Sequence, residues 1–124
     1  MFNDYFYIIE GGIVPKARPR HSRSGHSYMP QNYRESQARI LTTMVSQGIP
    51  AAPLEQCCVS IDLIGKHSRR GDSDNIAGSI LDALVKAKIL RDDNLKVVNA
   101  LTISLDYDKT VEPIIKVSIH SVPE

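Results

Sequence analysis

The sequence has no tryptophan and only two cysteines in 124 residues, and it has no apolar run long enough to cross a bilayer. A spanning helix needs about 20 predominantly apolar residues, so none is expected. The cysteines, Cys57 and Cys58, are neighbours in an alternating run. Adjacent strand side chains point to opposite faces, which places the two thiols poorly for a mutual disulfide. No Cys-x-x-Cys or Cys/His spacing suggests zinc. Both are expected to be ordinary buried or half-buried residues of a reduced, intracellular protein. The opening MFNDYFYIIEGG carries an early acid and no basic segment, so a secretory leader is not expected either. Internal repeats and low-complexity tracts are also absent.

Acids are scarce in one long stretch. Between Gly11 and Leu54 the only one is Glu35, against Lys16, Arg18, Arg20, Arg23, Arg34 and Arg39. Acids return at Asp72, Asp74, Asp82, Asp92 and Asp93, so a net charge of +1 hides a basic first half and an acidic middle. A dipolar surface without a role would look the same. The sharper reading is a polyanion-binding surface beside a cation-binding site.

What is present suffices for one core and one domain over residues 1–124. Tyr5 to Glu10 is aromatic and β-branched and predicts a strand, stopped by Gly11-Gly12. Ile13 to Gln31 holds Pro15, Pro19 and Pro30 and predicts a long exposed loop, which in a small domain is usually functional or mobile. A helix is predicted over Asn32 to Gln47, with Asn32 as cap, Glu35 three residues on, and Gly48 at the end. Cys57 to Ile64 alternates as a strand, with Val59, Ile61 and Leu63 on one side and Asp62 on the other. Asp74 to Lys88 has the clearest helical stripe, through Ile76, Ile80, Ala83, Leu84 and Ala87. Val97 to Tyr107 and Glu112 to Val122 predict two strands joined as a hairpin at Asp108-Lys109-Thr110. The order β-α-β-α-β-β defines an α+β (mixed α/β) domain.

Chemistry concentrates in Arg69-Arg70-Gly71-Asp72-Ser73-Asp74-Asn75 and in Arg91-Asp92-Asp93-Asn94. Converging carboxylates repel one another unless a cation sits among them, and their hard oxygens suit Mg²⁺ or Mn²⁺. Helix capping explains an isolated Asp-x-Asp equally well. A straight helix between the two acidic parts would span about 20 Å, so they cannot meet across it. Either the helix bends, the loop doubles back, or the carboxylates meet by another route.

The run RRGDSDNIAGSILDALVKAKILRDDNLKVV resembles the RusA family of Holliday junction resolvases: D-x-D-N, a helix containing D-A-L, then D-D followed closely by valine. GGIVPKARPR resembles the start of phage-type members, so the likeness spans Gly11 to about Val98. The resemblance implies a small homodimer that binds four-way DNA junctions in the cytoplasm of a bacterial or phage-infected cell. It also implies paired symmetric nicking with Mg²⁺, or Mn²⁺ in its place. Carried over by position, Asp72, Asp74 and Asp93 match the family's essential acids, as metal ligands and catalytic groups. Asp92 and Asn75 are supportive, as is Asp82. One departure stands out: many members have a lysine four residues after the second Asp of the D-x-D, where this sequence has Gly78. Another base such as Lys16 or Lys66 supplies the charge, or the glycine admits close backbone approach, or the protein binds junctions and cleaves them poorly.

Lys16, Arg18 and Arg20 alternate in a segment pinned by Pro15 and Pro19. Phosphate contact is their natural role, shared with Arg69 and Arg70, although a solvated basic loop has the same composition. His67 and His120 have no ligand-like partners in the sequence. Ile103 and Leu105 are candidates for a dimer surface.

Overall fold

The computed structural model describes residues 4–122, so the first three residues of the acid-bearing start and the last two of the expected domain lie outside it. Strand β1 (Asp4–Glu10) leads into a basic arm, residues 11–30, which holds two short strands, β2 (Arg20–His21) and β3 (Ser27–Tyr28), paired antiparallel. Helix α1 (Gln31–Gln47), β4 (Cys57–Gly65), α2 (Ser73–Lys86), β5 (Val98–Tyr107) and β6 (Ile114–Ser121) follow. The main sheet has the order β1-β6-β4-β5. The fold is α+β, as the sequence predicts.

The sheet is buried on one face. Tyr7 and Ile9 of β1, Ile115, Val117 and Ile119 of β6, and Cys57, Val59, Ile61 and Leu63 of β4 form its inner layer. Ile40 and Met44 of α1 and Ile76, Ile80 and Leu84 of α2 complete the core. Their spacing gives each helix one buried stripe. The two cysteines divide as strand alternation requires: Cys57 is buried, Cys58 is half-buried, and both are free thiols. Burial pushes the Cys57 thiol up to about 11, which keeps it protonated and unreactive at neutral pH.

The expected hairpin between β5 and β6 does not form. β5 pairs parallel with β4, while β6 lies antiparallel between β4 and β1. The turn after Tyr107 crosses over the end of β4: Asp108 N–H donates to the Gly65 carbonyl (3.2 Å) and Lys66 N–H to that of Val111 (2.9 Å). Gly65 allows this, with φ of 100° and the Glu112 and Val111 carbonyl oxygens 2.6 and 2.7 Å from where a Cβ would stand. A central strand with two free edges takes a partner on each side, and an alternating pattern does not say which strand goes where.

The expected cap on α1 is also displaced. The cap position is Pro30, and Asn32 Oδ1 accepts only from the adjacent Tyr33 N–H (2.9 Å). Glu35 is taken by Gln31 Nε2 at 2.8 Å, one turn before it.

Helix α2 ends in a double reversal. Ile89 N–H donates to the Leu84 carbonyl (3.0 Å) and Lys88 N–H to that of Val85 (3.0 Å), with Lys88 at φ 61°. This is the Schellman arrangement, which favours glycine at the left-handed position. Lys88→Gly should therefore stabilise the fold by about 0.5–1 kcal/mol, as relief of left-handed strain exceeds the lost chain restriction. Urea unfolding of the two proteins measures it.

Candidate active site

Asp72 occupies the N-cap position of α2 in extended conformation, and its carbonyl accepts the Ile76 N–H at 3.0 Å. Its carboxylate makes no capping hydrogen bond. Asp74 lies in the first helical turn, where the helix dipole favours a negative charge. Both side chains are exposed, and no hydrogen bond or ion pair engages either carboxylate among the described residues. No side-chain capping hydrogen bond forms at this Asp-x-Asp, whose remaining tie to the helix is its placement at the dipole's positive end.

The basic arm is seated against the same turn. Lys16 N–H donates to the Asn75 carbonyl at 2.8 Å. Gly71 leaves room for Pro15: a Cβ there would stand 2.6 Å from Pro15 Cγ. Lys16 then runs across Gly78, its Cδ 3.2 Å and its Cβ 3.7 Å from where a glycine-replacing Cβ would be. Its ammonium reaches the Asp82 carboxylate at 3.2 Å. A lysine thus lies over the helix surface at the position where the sequence departs from its resemblance. Lys66, the other base considered for that role, pairs with Glu112 at 2.8 Å, beside the turn that crosses β4.

Asp82 is held from the other side by the Tyr33 hydroxyl, which donates to Oδ2 at 2.7 Å. Burial, and then the Asp82 carboxylate, raise the Tyr33 phenol well above its ordinary range, so it stays a donor at any working pH. Gln37 of α1 adds bonds from Nε2 to the Ser79 carbonyl (2.9 Å) and hydroxyl (3.2 Å). The root of the arm is fixed by buried His67, whose Nδ1 accepts the Ile13 N–H (3.3 Å) and whose Nε2 faces the Ile114 carbonyl (2.9 Å). Those partners select the neutral Nε2–H tautomer. The sequence marked neither Tyr33 nor His67 for this role, because their partners lie 49 and 54 or 47 residues away.

Arg18 and Arg20 are exposed on the arm, Arg20 opening β2 opposite Tyr28. Arg69 stacks on the Tyr107 ring, its guanidinium carbon 3.9 Å from the centroid, and Arg70 is exposed beside it. A guanidinium over an aromatic face keeps its donors available at the ring's edge.

Asp92 and Asp93 are not brought to this place. The parallel register pairs Cys57 with Val98 and Gly65 with Tyr107, so Asp72 follows one end of the β4–β5 ladder and Asp93 precedes the other. Helix α2, 14 residues long, separates them by about 21 Å along its axis. Among the described residues no three of His, Cys, Asp and Glu are grouped to hold a metal ion. The chemistry of the donors suits Mg²⁺ or Mn²⁺, but one chain supplies a carboxylate pair at each end and not a complete set. Within the second pair the two acids differ. Asp92 is spent on its own loop, accepting the Asp93 N–H (2.8 Å) and Asn94 Nδ2 (3.1 Å), whereas the Asp93 carboxylate is unengaged among the described residues.

A small α+β domain with a basic arm laid on an acid-bearing helix start has the charge layout of a phosphate-ester enzyme or a polyanion binder. A family model described as Endodeoxyribonuclease RusA matches residues 10–120. The chain belongs to the RusA endodeoxyribonuclease family, a family of nucleases that hydrolyse DNA. Among curated proteins no match to the sequence was found.

Removing the Tyr33 hydroxyl should leave Asp82 half-satisfied. Tyr33→Phe is expected to cost about 1.5–3 kcal/mol in denaturant unfolding, the range for a hydrogen bond to a charged group.

Proposed function

We propose that this chain is a structure-selective endonuclease that resolves four-way (Holliday) DNA junctions by paired symmetric nicks in recombination and repair, working as a homodimer with Mg²⁺ or Mn²⁺. Family membership supports the nuclease half of this reading. The observation that carries the rest is the Lys16 side chain lying over Gly78, one turn from the unengaged carboxylates of Asp72 and Asp74. A cation on that helix face would offset charge developing on a phosphate held near the acids. Arg18, Arg20, Arg69 and Arg70 contact flanking phosphates, which supply affinity, while the shape of the branch supplies selectivity. Asn75 and Asp92 hold the arm and the second acidic loop in place through the bonds already described. Asp72, Asp74 and Asp93 are the proposed essential acids.

Labelled four-way junctions and duplexes of the same sequence, incubated with either metal, test the reading. Symmetric nicks confined to the junction are expected. Tight junction binding with no nicks under either metal would overturn it.

The role of Lys16 has its own test. Lys16→Ala should lower the nicking rate roughly 100-fold, the scale for losing one transition-state donor, with junction affinity changed much less. Adding Gly78→Lys to that variant should restore most of the rate. A double variant as inactive as the single one would remove Lys16 from the role.

A further inference from the structure

Among the described residues the most exposed large apolar side chain is Leu95, at 83 %. It stands in the acidic loop, two residues after Asp93 and one before Lys96. Single surface leucines are ordinary. This one differs because its loop is built to hold it out. On one side, Asn94 Oδ1 accepts the N–H groups of Lys96 (3.1 Å) and Val97 (3.2 Å), and Asn94 Nδ2 is tied back to Asp92 (3.1 Å). On the other, Asn99 Nδ2 donates to the Leu95 carbonyl at 2.9 Å. Val97 and Val98 anchor the turn in the core. The backbone is pinned on both sides while the side chain stands in water.

A cleft of about 440 Å³ lies beside this loop, between Glu55 and Gln56 ahead of β4 and Arg91, Asn94 and Lys96. That volume is within the range of pockets that hold small ligands. Glu55 and Arg91 are paired with each other, and Asn94 is spent on the turn. The half-buried Gln56 amide and the Lys96 ammonium have no partner among the described residues. An amide offers a donor and an acceptor side by side, as the edge of a nucleobase does. One leucine ringed by charged and amide groups is too small a patch for a protein partner.

We propose that this loop opens the base stack of DNA at the branch. Leu95 enters between two neighbouring bases. The base it displaces turns into the adjoining cleft, where the Gln56 amide meets its hydrogen-bonding edge and Lys96 takes a flanking phosphate. The proposal rests on the nuclease reading above and adds to it a site for an unstacked base. Apolar wedges of this kind part base steps, at the least cost where the stack is already interrupted. Strands that exchange partners at a branch provide such a place, and a continuous duplex does not. The wedge therefore favours branches, and the cleft chooses the base beside the nick.

Junctions carrying 2-aminopurine at the branch-flanking positions, mixed with protein and Mg²⁺ and read before nicking begins, test the wedge. Fluorescence should rise severalfold at one of those positions and stay flat in duplex. Leu95→Ser should abolish the rise and slow nicking by about 10- to 100-fold, as loss of one unstacking contact implies, while Leu95→Met keeps both. The melting temperature should not change, because the side chain lies outside the core. A junction bound without any rise, or a rise that survives Leu95→Ser, would overturn the wedge. Gln56→Ala should keep the rise but level the nicking rates of junctions that differ in the base beside the nick. A base preference unchanged by that substitution, or absent from the natural chain, would overturn the cleft. If the natural chain binds junctions and never nicks them, the nuclease reading falls while fluorescence still decides the wedge.

Discussion

The parallel pairing of β4 with β5 constrains everything else in this molecule. Two parallel strands need a crossover between them, and α2 provides it. The crossover fixes the Asp-x-Asp after β4 at one end of the ladder and the Asp-Asp before β5 at the other. It leaves β4 with one free edge, which β6 fills from the far side, and it leaves β5 outermost. The distribution of acids and the outermost place of β5 are consequences of one ladder.

The arm shows how a segment with little regular structure is positioned without a core of its own. Its root is held by a buried imidazole, its bend by a proline against a glycine, and its basic residue by a backbone bond to the first turn of α2. Each contact is weak alone, of the order of 1 kcal/mol for a neutral hydrogen bond. Together they lay the Lys16 stem across Gly78. The Lys16 side chain stays about half exposed, so its ion pair with Asp82 is one that water and salt weaken readily. A charge held that loosely can leave Asp82 for a phosphate.

Much of the fold was legible because local periodicity carries it. β1, β4 and both helices fall within a residue or two of their expected limits, since each has a single buried face written into its spacing. Partner choice was not legible. β5 and β6 alternate as strands should, but the short connection through Asp108–Thr110 suggested neighbours, and only the glycine turn at Gly65 allows the chain to cross β4 instead. The cap at Asn32 failed for a similar reason: a capping pattern one turn long competes with Gln31–Glu35, and a shift of one residue decides it. At the site, the candidate acids and bases stand out in the sequence by type and spacing. The Lys16–Gly78 juxtaposition and the difference between committed Asp92 and unengaged Asp93 depend on tertiary placement, which no local pattern encodes.

Gln47 of α1 accepts the Ile8 N–H (3.0 Å) through Oε1 and donates to the Ile8 carbonyl (2.6 Å) through Nε2, as a neighbouring strand would. A sheet with two open edges can add copies without limit, and its natural product is a fibre. By imitating a strand with a single amide, α1 acts as a chain terminator on the β1 side. The same helix that completes the core therefore closes one edge of the sheet to further strands.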